Sequence, residues 1–141
     1  MFGEHKSALD DKGRMNMPAK LREELGDSFY VSKAINKKAK CLTIYTNEAW
    51  ERLAEKLKTL PQTKTGDLRR FIFGSAEMIK PDKQGRMLIP KILRDYAGLD
   101  GEAVIIGMDD KAELWSREAL DSNNNAISMF DLEDVAEEYG I

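Results

Sequence analysis

The chain has 141 residues, of which 22 are Lys or Arg and 25 are Asp or Glu, giving a formal charge of −3. That length supports one or two domains with a core of their own, and the single cysteine, Cys41, excludes a disulfide framework within the chain. No run of about 18 apolar residues marks a membrane span, and the opening MFGEHKSALDDK lacks an apolar signal core, so the expectation is a protein that stays inside the cell.

Taken in order, residues 4–10, EHKSALD, read as a short strand entering a turn. The turn is followed by a short apolar run and by a helix with Leu21 and Leu25 on one face, stopped by Gly26-Asp27. Residues 29–35 are β-rich, residues 36–38 form a basic loop, and residues 41–45, CLTIY, form the next strand. Asn47 is a candidate N-cap. Trp50, Leu53, Ala54, Leu57 and Leu60 then recur at helical spacing until Pro61 ends the run. Residues 63–66 read as a polar break and residues 67–74 as a second helix, whose Phe71 and Phe73 are large enough to cover a barrel or a neighbouring subunit. Further on, residues 98–101 end another helix, residues 103–108 and 113–116 are strands, and residues 109–111 turn between them. Residues 122–125, SNNN, read as a loop, and Met129, Leu132, Val135, Ala136 and Tyr139 trace an amphipathic acidic helix.

The chain contains one stretch twice. Residues 10–22, DDKGRMNMPAKLR, and residues 82–94, DKQGRMLIPKILR, agree at seven of thirteen positions at an offset of 72. Asp10/Asp82 and Gly13/Gly85 are turn chemistry: a carboxylate accepts backbone N–H groups, and Gly adopts positive φ. Pro18/Pro90 suit the first position of a helix. Arg14 and Arg86 are thrust outward by the turn, with Lys12 beside the first. The echo continues at an offset of 70, where residues 117–120, REAL, answer residues 47–50, NEAW. Two copies are too few for a solenoid and imply two half-domains that complete each other.

The pattern D-x-x-G-R-x-x-x-P resembles the SpoVT-AbrB (AbrB-like) DNA-binding half-barrels, and its tandem use over residues 1–120 resembles the MraZ family of bacterial transcriptional regulators. The resemblance implies a β-rich α+β fold in which two half-barrels (strand, turn, strand, helix, hairpin) form a pseudo-dimeric barrel within one chain. The expected division is a first half at 5–47, a helical connector at 48–75, a second half at 76–119 and an acidic, helical tail at 120–141. The resemblance also implies a cytoplasmic, nucleoid-associated regulator that binds double-stranded DNA at direct repeats upstream of the division and cell-wall operon. Ring-shaped homo-oligomers are expected with it, and no cofactor, membrane or small-molecule substrate.

The negative total charge is unevenly placed. Residues 121–141 carry six acids and no Lys or Arg, which leaves 22 basic against 19 acidic residues elsewhere, a charge of +3. A body so weakly basic binds DNA poorly as one subunit and needs several. Arg14 and Arg86 have two readings, an ion pair with the turn aspartate or bidentate recognition of guanine or phosphate; the resemblance favours DNA. Lys12, Lys20, Arg22, Lys91 and Arg94 are solvated charges or, if they share a face, phosphate contacts. Asp10, Gly13, Pro18, Asp82, Gly85 and Pro90 build the turns. Lys37, Lys38 and Lys40 read as a solvated loop, Cys41 as an inert core thiol, and Trp50 and Trp115 as core or interface. One histidine, His5, and one cysteine are too few for a zinc site, and no nucleophile with its base, G-x-G-x-x-G or Walker sequence is present. An enzyme is therefore not expected. The alternative to a regulator is an AbrB-like antitoxin or protein-interaction scaffold.

Overall fold

The computed structural model describes residues 1–141. The elements in chain order are β1 (Glu4–Leu9), β2 (Arg14–Asn16), α1 (Ala19–Leu25), β3 (Phe29–Lys33), β4 (Leu42–Tyr45), α2 (Asn47–Lys58) and α3 (Gln62–Ser75), then β5 (Glu77–Ile79), β6 (Arg86–Leu88), α4 (Lys91–Ala97), β7 (Gly101–Met108), β8 (Lys111–Ser116), α5 (Arg117–Asn125) and α6 (Met129–Glu138). The second seven elements repeat the first seven in type and order.

The halves interlock rather than stand side by side. All pairings are antiparallel, and the six-stranded sheet runs β1-β7-β8-β4-β3-β5. The first strand of each half thus lies on the other half: β1 pairs β7, and β5 pairs β3. A separate two-stranded ribbon joins β2 to β6. Exchanging equivalent strands reproduces the same order reversed, so the barrel has a pseudo-twofold axis. The register locates it, since Met15 faces its own repeat equivalent Met87, and Thr43 faces its equivalent Glu113.

Burial explains why the halves cannot part. Met15, Met17 and Leu21 from the first half share one core with Met87, Ile89 and Leu93 from the second, together with Phe29, Ile44, Ile105 and Leu114. A smaller cluster of Ala34, Cys41, Val104, Trp115 and Leu120 lies beneath α5. Each half alone would expose the apolar faces that its partner covers, at roughly 25 cal/mol per Å².

Several local expectations are revised. Residues 63–66 are helical, because Pro61 pre-sets the first turn of α3 and its carbonyl accepts Lys64 N–H and Thr65 N–H, both at 3.1 Å. One interior glycine, Gly66, costs only about 1 kcal/mol. Residues 122–125 are also helical, forming the end of α5, whose start is held by its cap and by buried Leu120. The cap of α2 is Thr46, not Asn47: Thr46 Oγ1 accepts Ala49 N–H at 3.0 Å. Ser116 caps α5 in the same way, accepting Ala119 N–H at 3.1 Å. Pro18 and Pro90 precede their helices as cap residues with extended ψ, rather than taking the first helical position.

Candidate nucleic-acid interface

The two repeated turns have one geometry. Asp10 Oδ1 accepts the backbone N–H groups of Lys12 and Arg14, both at 2.9 Å. Asp82 Oδ1 accepts those of Gln84 and Arg86 at the same distances. The backbone closes identically: Gly13 N–H donates to Asp10 O, and Gly85 N–H to Asp82 O. Backbone donors favour the ionised carboxylate, first those of Arg14 and Arg86, so both aspartates are held below the usual value of 3.8.

The second carboxylate oxygen orients the arginine. Arg14 Nε donates to Asp10 Oδ2 at 3.0 Å, and Arg86 Nε to Asp82 Oδ2 at 3.2 Å. Both readings of these arginines are thus compatible with one geometry. The ion pair uses only Nε, while the two terminal amino groups make no hydrogen bond within the chain. The side chains remain 47% and 56% exposed. A carboxylate that holds Nε fixes the plane of the guanidinium and leaves its fork available for a bidentate acceptor.

The ribbon brings the arginines together. In β2 and β6 the outer residues are exposed and the middle methionine is buried. Arg14, Asn16, Arg86 and Leu88 therefore share one outward face, with Arg14 opposite Leu88 and Asn16 opposite Arg86. The ribbon is extended by crossed backbone bonds, Met17 N–H to Gly85 O at 2.8 Å and Ile89 N–H to Gly13 O at 3.0 Å.

The turn glycines have φ of 81° and 84°, a region that L side chains avoid. They are also packed from the opposite half. A Cβ at Gly13 would lie 2.4 Å from the Arg94 guanidinium carbon, and one at Gly85 would lie 2.7 Å from that of Arg22. Each helix arginine thus props the other half's turn. Arg94 Nε donates to Ile89 O at 2.8 Å, whereas the buried Arg22 Nε has no partner. Both arginines are half-buried, which departs from the first of their two sequence readings, that of solvated charges.

The other basic residues named from the sequence lie at the turns and helix starts. Lys12 is exposed at the first turn, Lys20 is exposed in the first turn of α1, and Lys91, also exposed, is paired with Asp95 at 2.7 Å. Lys83 is an exposed turn residue that the sequence reading overlooks; it aligns with Asp11, so comparing the two copies for identity hides it. No group of His, Cys, Asp and Glu is arranged to hold a metal ion, and no helix is long and apolar enough to cross a membrane. Cys41 is buried, and desolvation pushes its thiol up to about 12.

An α+β fold whose halves exchange strands in one antiparallel sheet, with two equivalent arginine turns on one ribbon, defines a tandem AbrB-like half-barrel protein. The family described as "MraZ protein, putative antitoxin-like" matches residues 1–69 and 72–138; the first segment ends within α3 and the second runs to the end of α6. The chain is 44% identical over 138 residues to the transcriptional regulator MraZ of Heliobacterium modesticaldum, covering 96% of this chain and 94% of that protein. It is 43% identical over 140 residues to the regulator of the same name from Pelotomaculum thermopropionicum, covering 96% and 92%. The chain belongs to the MraZ family, whose members are named as transcriptional regulators and not as enzymes.

Proposed function

We propose that the protein is a sequence-specific, DNA-binding transcriptional regulator of the MraZ type. The observation that carries this reading is the pair of arginines on one β-ribbon, each held by Nε with its fork free. The major groove of B-DNA admits a two-stranded ribbon, and Arg to guanine is its commonest specific contact. Lys12, Lys20 and Lys91 contact phosphates around the ribbon. Arg22 and Arg94 contribute from behind the turns, where their guanidinium groups adjoin the backbone that faces DNA.

A subunit with so few free cations binds weakly, so the functional form is a ring-shaped homo-oligomer on direct repeats. Joining several weak readers raises avidity by roughly 10²–10⁴ when site and reader spacing agree. The family resemblance points to repeats upstream of the division and cell-wall operon, and to a cytoplasmic, nucleoid-associated protein. A second reading, an antitoxin or scaffold, is favoured by the family's printed description and by an unburied apolar face on α6.

The test is a titration of promoter DNA with the wild type, Arg14→Ala and Arg86→Ala. Exposed ion pairs contribute about 0–1 kcal/mol to stability, so both variants stay folded by circular dichroism. Each loses specific binding by about 1–3 kcal/mol. Wild-type affinity falls with salt at a slope of about −0.9 per phosphate neutralised. Undiminished binding by both variants defeats the proposal, and a stoichiometric protein partner without DNA binding favours the scaffold.

A further inference from the structure

The ribbon is symmetric in charge but not in what lies between the charges. Arg14 and Arg86 are equivalent about the Met15–Met87 pair, and so are Asn16 and Leu88. Each end of the ribbon therefore presents a different couple across the strands: Arg14 with Leu88, and Asn16 with Arg86. Folding accounts for neither Asn16 nor Leu88. The core contacts of these strands come from Met15 and Met87, which are buried. The Asn16 carboxamide makes no hydrogen bond within the chain. Leu88 is 56% exposed on a face whose other members are Arg and Asn.

We propose that Asn16 and Leu88 are specificity-determining residues, Asn16 reading an adenine and Leu88 a thymine methyl, and that they make each subunit a directional reader. The inference rests on the DNA-binding reading above and adds base preference and polarity to it. A carboxamide matches the N6/N7 edge of adenine with two hydrogen bonds, whereas an aliphatic side chain has only the thymine methyl to recognise in the major groove. The dimensions agree. Two residues along a strand span about 6.8 Å, and two base steps span about the same, at roughly 3.4 Å each. The four side chains thus cover adjacent base pairs, with a guanine contact at either end and unlike contacts beside them. A reader with unlike ends selects a site without dyad symmetry, and only repeats in the same orientation present that site identically to successive subunits.

The experiment is selection from a randomised duplex library by the wild type, Asn16→Ala, Leu88→Ala and Leu88→Asn, with Arg14→Ala/Arg86→Ala as control. The wild type selects a non-palindromic site. Asn16→Ala loses preference at one adenine, with discrimination there falling about 5- to 150-fold. Leu88→Ala loses preference at one thymine. Leu88→Asn gives both ends the Arg–Asn couple and selects a palindromic core. Unaltered base preferences in all three variants, with selection abolished in the arginine control, would overturn this inference and leave DNA binding standing. A wild-type protein that enriches no sequence overturns both.

Discussion

The two helical pairs begin alike and end differently. Thr46 and Ser116 cap α2 and α5 with the same bond, and the helices then send Trp50 and its equivalent Leu120 toward the barrel. Trp50 stacks on Tyr30 at 4.8 Å and meets Tyr45 and Phe73 edge-on at 5.3 and 5.6 Å. Phe71 of α3 reaches Tyr96 of the second half, and Arg69 donates to Leu57 O across the helical pair. In the other pair, Leu120 is buried but α6 buries no residue, and Phe130 is 82% exposed. α3 delivers the chain to β5 at a fixed place in the sheet, beside β3, whereas α6 buries none of its side chains. One helical pair is part of the barrel's framework, and the other is attached to it.

The contrast is tested most strongly at its aromatic and aliphatic anchors. Trp50→Ala and Leu120→Ala each cost about 3 kcal/mol, because both remove a large packed side chain. Phe130→Ala, on α6, stays within ±0.5 kcal/mol, as exposed substitutions do. Urea unfolding monitored by circular dichroism gives the three values, and a Phe130→Ala loss comparable to the other two breaks the comparison.

The turns give a second, smaller contrast between the halves. Alanine at Gly13 or Gly85 pays about 1–2 kcal/mol for a left-handed backbone and must also displace the opposing arginine. Arg94, above Gly13, has a hydrogen bond to lose, and Arg22, above Gly85, has none through Nε. Gly13→Ala is therefore the more destabilising, and equal losses for both would show that the Arg94 Nε bond makes no difference between the turns. Cap removal is smaller again: Thr46→Ala and Ser116→Ala cost about 1 kcal/mol each. Ser128→Ala, at the corresponding cap of α6, frays that helix without moving the global midpoint.

The turn carboxylates should not separate the halves at all. Their pKa values are depressed in the folded protein, so their contribution is complete above the unfolded value near 3.8 and is lost as pH falls through the lower folded values. No titration of Asp10 or Asp82 is therefore expected between pH 5 and 8. Carboxyl chemical shifts followed by NMR check this, and an inflection for either residue in that window contradicts the hydrogen-bonded turn.

The repeat made much of this architecture legible. Asp, Gly and Arg at matching offsets forecast two identical turns, and the apolar spacing placed α1, α4 and the outward arginines. Strand exchange was foreseeable only as mutual completion, since which strand pairs with which depends on register across a separation of some 70 residues. Composition misled where local preference was weak. Gly66 and the Asn123–Asn125 run favour loops in isolation, yet caps and packed neighbours carry the helices through them. The half-burial of Arg22 and Arg94 is not legible in the chain, because nothing local reveals that the opposite turn lies against them. Asn16 lies between two core methionines, and that alternation turns it to the side of Arg14.

The smallest stability effect belongs to the removal of residues 127–141. This deletes all of α6, with its exposed Met129, Phe130, Leu132 and Val135, and no buried side chain goes with it. The thermal midpoint of the truncated protein should match that of the full chain, because neither the barrel core nor the cluster under α5 loses a member. DNA affinity should nevertheless change. The segment carries Asp131, Glu133, Asp134, Glu137 and Glu138 and no Lys or Arg, so its loss takes the chain from −3 to +2. Less repulsion from phosphate raises non-sequence-specific affinity at low ionic strength. The gain shrinks as salt shortens the screening length from about 30 Å at 0.01 M to about 8 Å at 0.15 M. Differential scanning calorimetry and a salt series of binding isotherms on arbitrary duplex DNA read the two quantities separately. A lowered midpoint would show that α6 is packed onto the barrel after all. An affinity gain that persists undiminished in high salt would show that α6 covers the proposed DNA-binding face by contact rather than opposing DNA by charge.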